Sequence, residues 1–247
     1  VGEAMKDAAA IVTGASRGLG KAIALAFAGE GAKVALVCRK NCAAAREIAR
    51  RIQSEGGVAW AHQCDVGDSK AVACTVEEVF RRAGSIDVLV NNAGVSHSSL
   101  LLKTEEATWD EVIATNLSGA FNCTRAVVRF MVRQGKGHVV NIGSLSGMRG
   151  AAGAAAYCAS KAGLVGLTLA VARECGNRNI AVNAILPGYM PTDMGKAIFP
   201  ESRQRILSEN LLGRGSTIEG IARFIVRLVG MEGVSGQIFN LDSRPWR

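Results

Sequence analysis

Thr13-Gly14-Ala15-Ser16-Arg17-Gly18-Leu19-Gly20 decides the fold, because of what stands on either side of it. Ahead of it, Ala9–Thr13 is a short apolar run of strand type, and behind it an apolar segment with helical spacing begins near Leu19. Glycines at a strand-to-helix junction allow a tight turn and let backbone N–H groups approach an anion. The positive end of the following helix adds to that attraction. An ordinary tight turn has the same composition, so the flanking strand and helix are what make this a dinucleotide-binding turn. Gly14, Ser16, Arg17, Gly18, Leu19 and Gly20 are the candidate pyrophosphate contacts.

The same alternation continues outward to the end of the chain. Strands are predicted near Ala9–Thr13, Lys33–Val37, Val58–Gln63, Ile86–Asn91, His138–Ile142, Ile180–Leu186 and Gln237–Leu241, with helices filling most of the intervals. No Pro/Ser-rich linker interrupts them, so residues 1–247 read as one domain. The fold class is α/β, a doubly wound Rossmann-type domain with a seven-stranded parallel sheet flanked by helices. Val34-Ala35-Leu36-Val37 and Val88-Leu89-Val90 are apolar without alternation, as strands buried on both faces require. Residues 189–215 hold Pro191, Pro200 and several glycines after the sixth strand. Ligands of such sheets bind at that edge, so this stretch is the predicted lid, an ordinary connection being the alternative.

Composition removes several classes. With 49% hydrophobic and 20% charged residues the chain has material for a core and no disordered character. Its seven cysteines include no Cys-x-x-Cys pair, which argues against a disulfide framework or zinc knuckle and fits a reducing cytosol. His62, His97 and His138 do not cluster at ligand spacing, so no metal is expected. The N-terminus, starting at Val1 with Met5 shortly after, lacks a secretory pattern. The apolar stretch from Ala151 to Ala172 is interrupted by Tyr157, Ser160 and Lys161, and reads as a buried helix rather than a membrane span. Net charge is +8, but it is distributed and lacks a basic run, which disfavours nucleic acid. Arg125, Arg129 and Arg133 stand four apart and line one helical face, which is a solvated stripe unless a partner uses it.

The chemistry is carried by Tyr157 and Lys161. Four residues apart on a helix, both side chains project from one face toward one pocket. A free phenol with a pKa of about 10 is a poor base at neutral pH. A neighbouring ammonium favours the phenolate and is expected to bring that value toward working pH. Cofactor choice is read at the end of the second strand, where Cys38-Arg39-Lys40 offers no carboxylate to a ribose 2′-hydroxyl. Arg39 with Arg17 is suited to clamp a 2′-phosphate, which points to NADP(H).

In order and spacing, Thr13 to Gly20, Asp65-Val66, Asn91-Asn92-Ala93-Gly94, Asn116, Ser144, Tyr157-x-x-x-Lys161 and Pro187-Gly188 resemble the short-chain dehydrogenase/reductases over essentially the whole chain. The resemblance implies an NADP(H)-dependent oxidoreductase acting on CH–OH and C=O groups, commonly tetrameric. It casts Ser144 as donor to the substrate oxygen, Asn116 as holder of a relay water, Tyr157 as acid/base and Lys161 as its partner and ribose contact. It assigns cofactor contacts to Asp65, Val66, Asn92, Ala93, Gly94, Pro187, Gly188 and Thr192, and makes Asn91 a strand-bridging residue. Taken singly, Tyr157 reads as a buried aromatic, Ser144 as a turn residue and Asn116 as a surface amide. Only their joint spacing favours the catalytic reading.

Within the family, Asn91 to Gly137 and Asn141 to Met194 most resemble the 3-oxoacyl-[acyl-carrier-protein] reductases of fatty-acid synthesis, whose carrier-protein contacts coincide with Arg129 and Arg173. A basic patch there would steer an acidic partner. Asn240-Leu241-Asp242-Ser243-Arg244 departs from their pattern, which ends the last strand with a Gly-Gly pair. Two alternatives stay open: a general carbonyl, quinone or hydroxysteroid-type dehydrogenase, and a non-catalytic NADP-sensing protein.

Overall fold

The structure, a computed structural model, describes residues 5–196, 198 and 200–245. Residues 197 and 199 of the predicted lid, and the chain's first four and last two residues, lie outside the described residues. The strands are β1 (Ala9–Thr13), β2 (Lys33–Cys38), β3 (Ala59–Gln63), β4 (Val88–Asn91), β5 (Gly137–Ile142), β6 (Ile180–Pro187) and β7 (Ile238–Leu241). They form one seven-stranded sheet in the order β3-β2-β1-β4-β5-β6-β7, every pair parallel. The order reverses direction beside β1, so β1 and β4 open a crevice at their C-terminal ends.

Strand alternation divides the core into two apolar layers. Val12, Leu36 and Val90 point to the face covered by α1 (Gly18–Gly29), α2 (Cys42–Ser54) and α10 (Ile218–Val229), meeting Ile23, Phe27, Ile48 and Ile225. Ile11, Val37 and Leu89 point to the opposite face and meet Val76 and Val79 of α3 (Ser69–Ala83) and Val127 and Met131 of α5 (Gly119–Gln134). A sheet covered on both faces is why its central strands carry no polar alternation.

Short α4 (Glu106–Ile113) runs into α5 through a single π-helical turn, Ala114–Ser118. The sequence places Asn116 in a regular helix; it lies instead in this wider turn, with its side chain buried. After β5 come α6 (Ser146–Arg149) and α7 (Ala155–Cys175), the helix of Tyr157 and Lys161. The expectation of a buried helix over Ala151–Ala172 is corrected in two respects. The helix starts at Ala155, and only 28% of its most apolar window is buried. Ser160, Leu164 and Thr168 are buried at four-residue spacing, Ser160 meeting Asn116 and Thr168 meeting Asn141 of β5, while Ala159, Ala162, Gly166 and Ala170 are exposed. By length and hydropathy alone, Ala155–Arg178 would suffice to cross a membrane. The predicted lid is also less irregular than its Pro and Gly content implies, for it contains α8 (Asp193–Lys196) and α9 (Pro200–Ser208).

Candidate active site

The glycine turn after β1 has the conformation its composition predicts. Gly14 and Gly18 have φ of 64° and 53°, the left-handed region that L side chains rarely adopt. A Cβ on Gly20 would collide with the Gly14 carbonyl oxygen and Asn92 Nδ2, so only glycine lets α1 begin this close to β1. The turn is fastened from the β4 side. Thr13 Oγ1 accepts from Asn92 N at 3.0 Å and Ala93 N at 2.9 Å, and Asn92 Nδ2 donates to Thr13 O at 2.9 Å. Asn92 therefore lines the cleft while its amide holds the turn in shape.

One cleft of about 700 Å³ follows the C-terminal ends of the strands. Its walls include Gly14, Ser16, Arg17, Gly18, Leu19, Gly20, Arg39, Asp65, Val66, Asn92, Ala93, Gly94, Tyr157, Lys161, Pro187 and Thr192, so all the sequence-predicted cofactor positions but one meet there. The exception is Gly188, which is packed against Ser216 and the Asp242 carboxyl group behind the wall. A Cβ at Gly188 would strike Ser216, which explains the glycine without a ligand contact.

At the adenosine end the basic pair is engaged by carboxylates. Arg39 Nη2 donates to Glu111 at 2.9 Å and Arg39 Nη1 lies 3.6 Å from Asp65, while Arg17 Nη1 donates to Asp193 at 2.8 Å. The end of β2 itself supplies no carboxylate, as its sequence reads, but Asp65 after β3, Glu111 of α4 and Asp193 of the lid bring carboxylates to the two arginines. Glu111 also meets His97 Nε2 at 3.1 Å. These partners converge from distant parts of the chain and leave no local motif. Each pair is solvent-accessible and so of low strength.

At the chemical end, Lys161 Nζ donates to the Ile142 carbonyl at 2.7 Å and lies 5.7 Å from the Tyr157 ring centroid. Only 4% exposed and lacking a carboxylate neighbour, Lys161 is held by desolvation at about 8, well below an ordinary ammonium. Tyr157 still reaches the cleft, yet its surroundings are largely protein. Burial raises its phenol pKa, and the adjacent Ser144 hydroxyl only partly offsets this. That corrects the expectation of a phenol brought toward neutral pH: burial sets the direction, and only the Ser144 hydrogen bond works against it. The arrangement favours a protonated Tyr157, the form that can give a proton to a nascent alkoxide.

Ser144 lies beside Tyr157, and its Oγ accepts from Ser146 N at 3.2 Å. Asn116 is buried. Its Oδ1 accepts from Val95 N at 2.8 Å, and its Nδ2 donates to Val95 O at 2.9 Å and Ser160 Oγ at 3.1 Å. Ser160 Oγ donates in turn to Tyr157 O, at 2.8 Å. A Cβ built on Gly94 would lie 3.4 Å from Asn116 Oδ1 and 3.7 Å from Lys161 Nζ, so these two groups flank one backbone point. Thr13, Val95 and Ser160 are the contributors that sequence reasoning missed, each working through a backbone or hydroxyl contact. Asn91 is the bridge expected of it. Its Nδ2 donates to Asn141 Oδ1 at 2.8 Å and Thr124 Oγ1 at 3.0 Å, binding β4 to β5 and α5.

The basic stripe on α5 is exposed, but Arg129 is paired with Glu77 of α3 at 2.6 Å, so part of its charge is already neutralised. Arg173 is exposed on α7. Among the described residues, no cluster of three or more His, Cys, Asp or Glu side chains could hold a metal.

A parallel sheet with this strand order, a glycine turn at its switch point and, at the other end of one cleft, Tyr157 and Lys161 with Ser144 beside the phenol describe a dinucleotide-dependent oxidoreductase. The family model for short chain dehydrogenases matches residues 8–203, and the chain belongs to that family, whose members act on carbonyl and hydroxyl groups. It is 39% identical over 233 residues to a 3-oxoacyl-[acyl-carrier-protein] reductase of Synechocystis, covering 94% of each chain. It is also 39% identical to the reductase of the same name from Staphylococcus aureus strain Mu50, over 94% of this chain and 96% of that one. Among solved structures, a dehydrogenase/reductase from Sinorhizobium meliloti 1021 superposes with a TM-score of 0.90 at 35% identity, covering 96% of this chain and 94% of that one. A short-chain type dehydrogenase/reductase from Mycobacterium marinum gives 0.91 at 30% identity, over 97% and 95%.

Proposed function

We propose that this protein is an NADPH-dependent ketone reductase acting on the 3-oxo group of an acyl thioester, carried on acyl carrier protein, to give the 3-hydroxyacyl product. The observation that carries it is the joining of the glycine turn and Arg39 to Tyr157 and Lys161 in a single cleft, with the Ser144 hydroxyl beside the phenol. The cradle fits a dinucleotide: glycines at positive φ leave backbone at the surface where a pyrophosphate would lie, and Asp65 and Val66 border the adenine end. Arg39 and Arg17, exchanging surface carboxylates for a 2′-phosphate, would set the preference for NADPH. The bound cofactor would supply hydride to the carbonyl carbon.

The chain's own residues supply the rest. Ser144 donates a hydrogen bond to the carbonyl oxygen as negative charge builds on it. Tyr157, kept protonated by burial, gives that oxygen its proton. Lys161, on the same helical face, offers positive charge to the phenolate left behind. Asn116, held by both Val95 backbone groups and Ser160, keeps the turn near Lys161 in position to anchor a relay water. The thioester assignment is supported by the likeness to the carrier-protein reductases and by the exposed Arg125, Arg129, Arg133 and Arg173, which suit an acidic partner. The outward small-residue face of α7 suits close helix packing against another subunit, in keeping with a homotetramer.

The test compares NADPH and NADH oxidation with acetoacetyl thioester, a quinone and a small diketone, for the parent and Tyr157→Phe. Thioester reduction lost by about 10²-fold or more in the variant supports the reading. Activity on quinone or diketone without thioester turnover replaces it with a general carbonyl reductase. Tight NADPH binding with no carbonyl reduced makes it a sensing protein.

A further inference from the structure

Cys38 and Cys42 stand apart from the five other cysteines. Cys38 ends β2 in the wall of the cleft and is 3% exposed, while Cys42 opens α2 and is partly open to solvent. Their sulfurs are 3.2 Å apart, with Cys38 Sγ donating to Cys42 Sγ. Between them lie only Arg39, Lys40 and Asn41, and all three line the cleft. We infer that Cys38 and Cys42 form an oxidisable dithiol, and that their disulfide deforms the Arg39–Asn41 turn and weakens dinucleotide binding. The effect on binding rests on the proposed reading of the cleft; disulfide formation does not.

A disulfide requires an S–S separation of roughly 2.0 Å, so the sulfurs must close by about 1 Å. The two ends of the turn are unequally free to move. Cys38 is fixed in the sheet, where its carbonyl accepts from Cys64 N at 2.9 Å and its register partner is Gln63. Cys42 belongs to a helix start held by a weak cap, Asn41 Oδ1 accepting from Ala44 N at 3.4 Å. Closure therefore pulls Asn41 and Cys42 toward β2 and compresses the turn that carries Arg39. Its guanidinium then loses the orientation that a 2′-phosphate contact needs.

The chemistry balances with hydrogen peroxide as oxidant. The Cys42 thiolate attacks one peroxide oxygen, forming an S–O bond as the O–O bond breaks, and the leaving hydroxide is protonated to water. Cys38 Sγ then attacks the sulfenic sulfur, forming the S–S bond as the S–O bond breaks, and hydroxide leaves with the Cys38 proton as a second water. Two thiols lose two electrons and two protons, and one peroxide becomes two waters. Accessibility assigns the order, since the peroxide reaches Cys42 first. Burial, with the contact to Cys42, pushes the Cys38 thiol up to about 12, which disfavours it as the first attacker, and its 3.2 Å approach to Cys42 Sγ is what makes it the resolving partner.

The experiment treats the full protein with a small excess of hydrogen peroxide, counts thiols after denaturation, maps disulfides by peptide mass and titrates NADPH before and after. Loss of two of the seven thiols as an intrachain Cys38–Cys42 bond is expected. NADPH affinity should fall by about tenfold, the scale of one charge-assisted hydrogen bond lost, and be restored by dithiothreitol. Cys42→Ser should bind NADPH as the reduced parent does and keep its affinity after peroxide. Oxidation at other cysteines only, such as exposed Cys74, or a mapped bond that leaves affinity unchanged, would overturn the inference. Failure of the reduced parent to bind either dinucleotide would instead reject the reading of the cleft, while the thiol count still decides whether the dithiol closes.

Discussion

Lys161→Met should stabilise the protein at neutral pH while removing its activity, and the gain should vanish in alkali. Lys161 is buried beside no carboxylate, and desolvation lowers its pKa from 10.5 to about 8. At 1.36 kcal/mol per unit, that is about 3 kcal/mol. The sign follows from where each state binds the proton. Below about 8 both folded and unfolded chains carry it, and the fold bears the whole cost of burying an ammonium. Between about 8 and 10.5 the unfolded chain alone is protonated, so stability of the parent climbs with pH. Methionine has similar length and no charge, but it abandons the 2.7 Å bond to the Ile142 carbonyl, a loss of about 1 kcal/mol. The net expectation is a variant about 2 kcal/mol more stable at pH 7 and no more stable than the parent near pH 10.5. Urea unfolding of both proteins across that range, without dinucleotide and at one protein concentration, measures the difference directly. A difference that is flat with pH would refute the reasoning, since it would mean that Lys161 is not neutralised by the fold.

Four further outcomes follow from the geometry. Because burial raises the Tyr157 pKa, carbonyl reduction should hold through neutral pH and decline only in alkali, with alcohol oxidation rising as reduction falls; initial rates in both directions test this, and reduction declining below pH 7 would contradict it. Gly20→Ala places a methyl against Gly14 O and Asn92 Nδ2 and should cost about 1–3 kcal/mol, read as a lower melting temperature together with weaker NADPH binding. Asn141→Ala removes the acceptor of Asn91 Nδ2 and the donor to Thr168 at a fully buried position. About 1–3 kcal/mol of stability should go with it, and an unchanged unfolding midpoint would show that the network is not structural. Arg39→Glu should shift preference from NADPH toward NADH by about 10²-fold in the ratio of kcat/KM values, an unchanged ratio excluding Arg39 from 2′-phosphate recognition.

What was legible in the sequence, and what was not, separates by how far apart the interacting groups lie along the chain. The strands could be placed within two residues because burial on both faces demands uninterrupted apolar runs such as Val34–Val37, and such runs survive any change in their neighbours. The Tyr157/Lys161 pair was legible because one helical turn joins them. Their pKa values were not, since these depend on the desolvation that β5, the α6 segment and α7 impose together. A reading that saw a lysine but no burial therefore got the direction of the Tyr157 shift wrong. The carboxylates on Arg17 and Arg39 were hidden for the same reason, Asp193 and Glu111 being 176 and 72 residues away. The C-terminal Asp242-Ser243-Arg244 carries this furthest. In sequence it is only a departure from a Gly-Gly pair. In the fold, Asp242 is buried, accepts from Arg244 Nη2 at 2.5 Å and from Asn210 Nδ2 at 3.2 Å, and backs onto Gly188. A carboxylate enclosed this way is stable only while both partners stay in place. Asp242 and Ser243 thus bind the end of the last strand to Asn210 at the far end of the lid, behind the wall of the cleft.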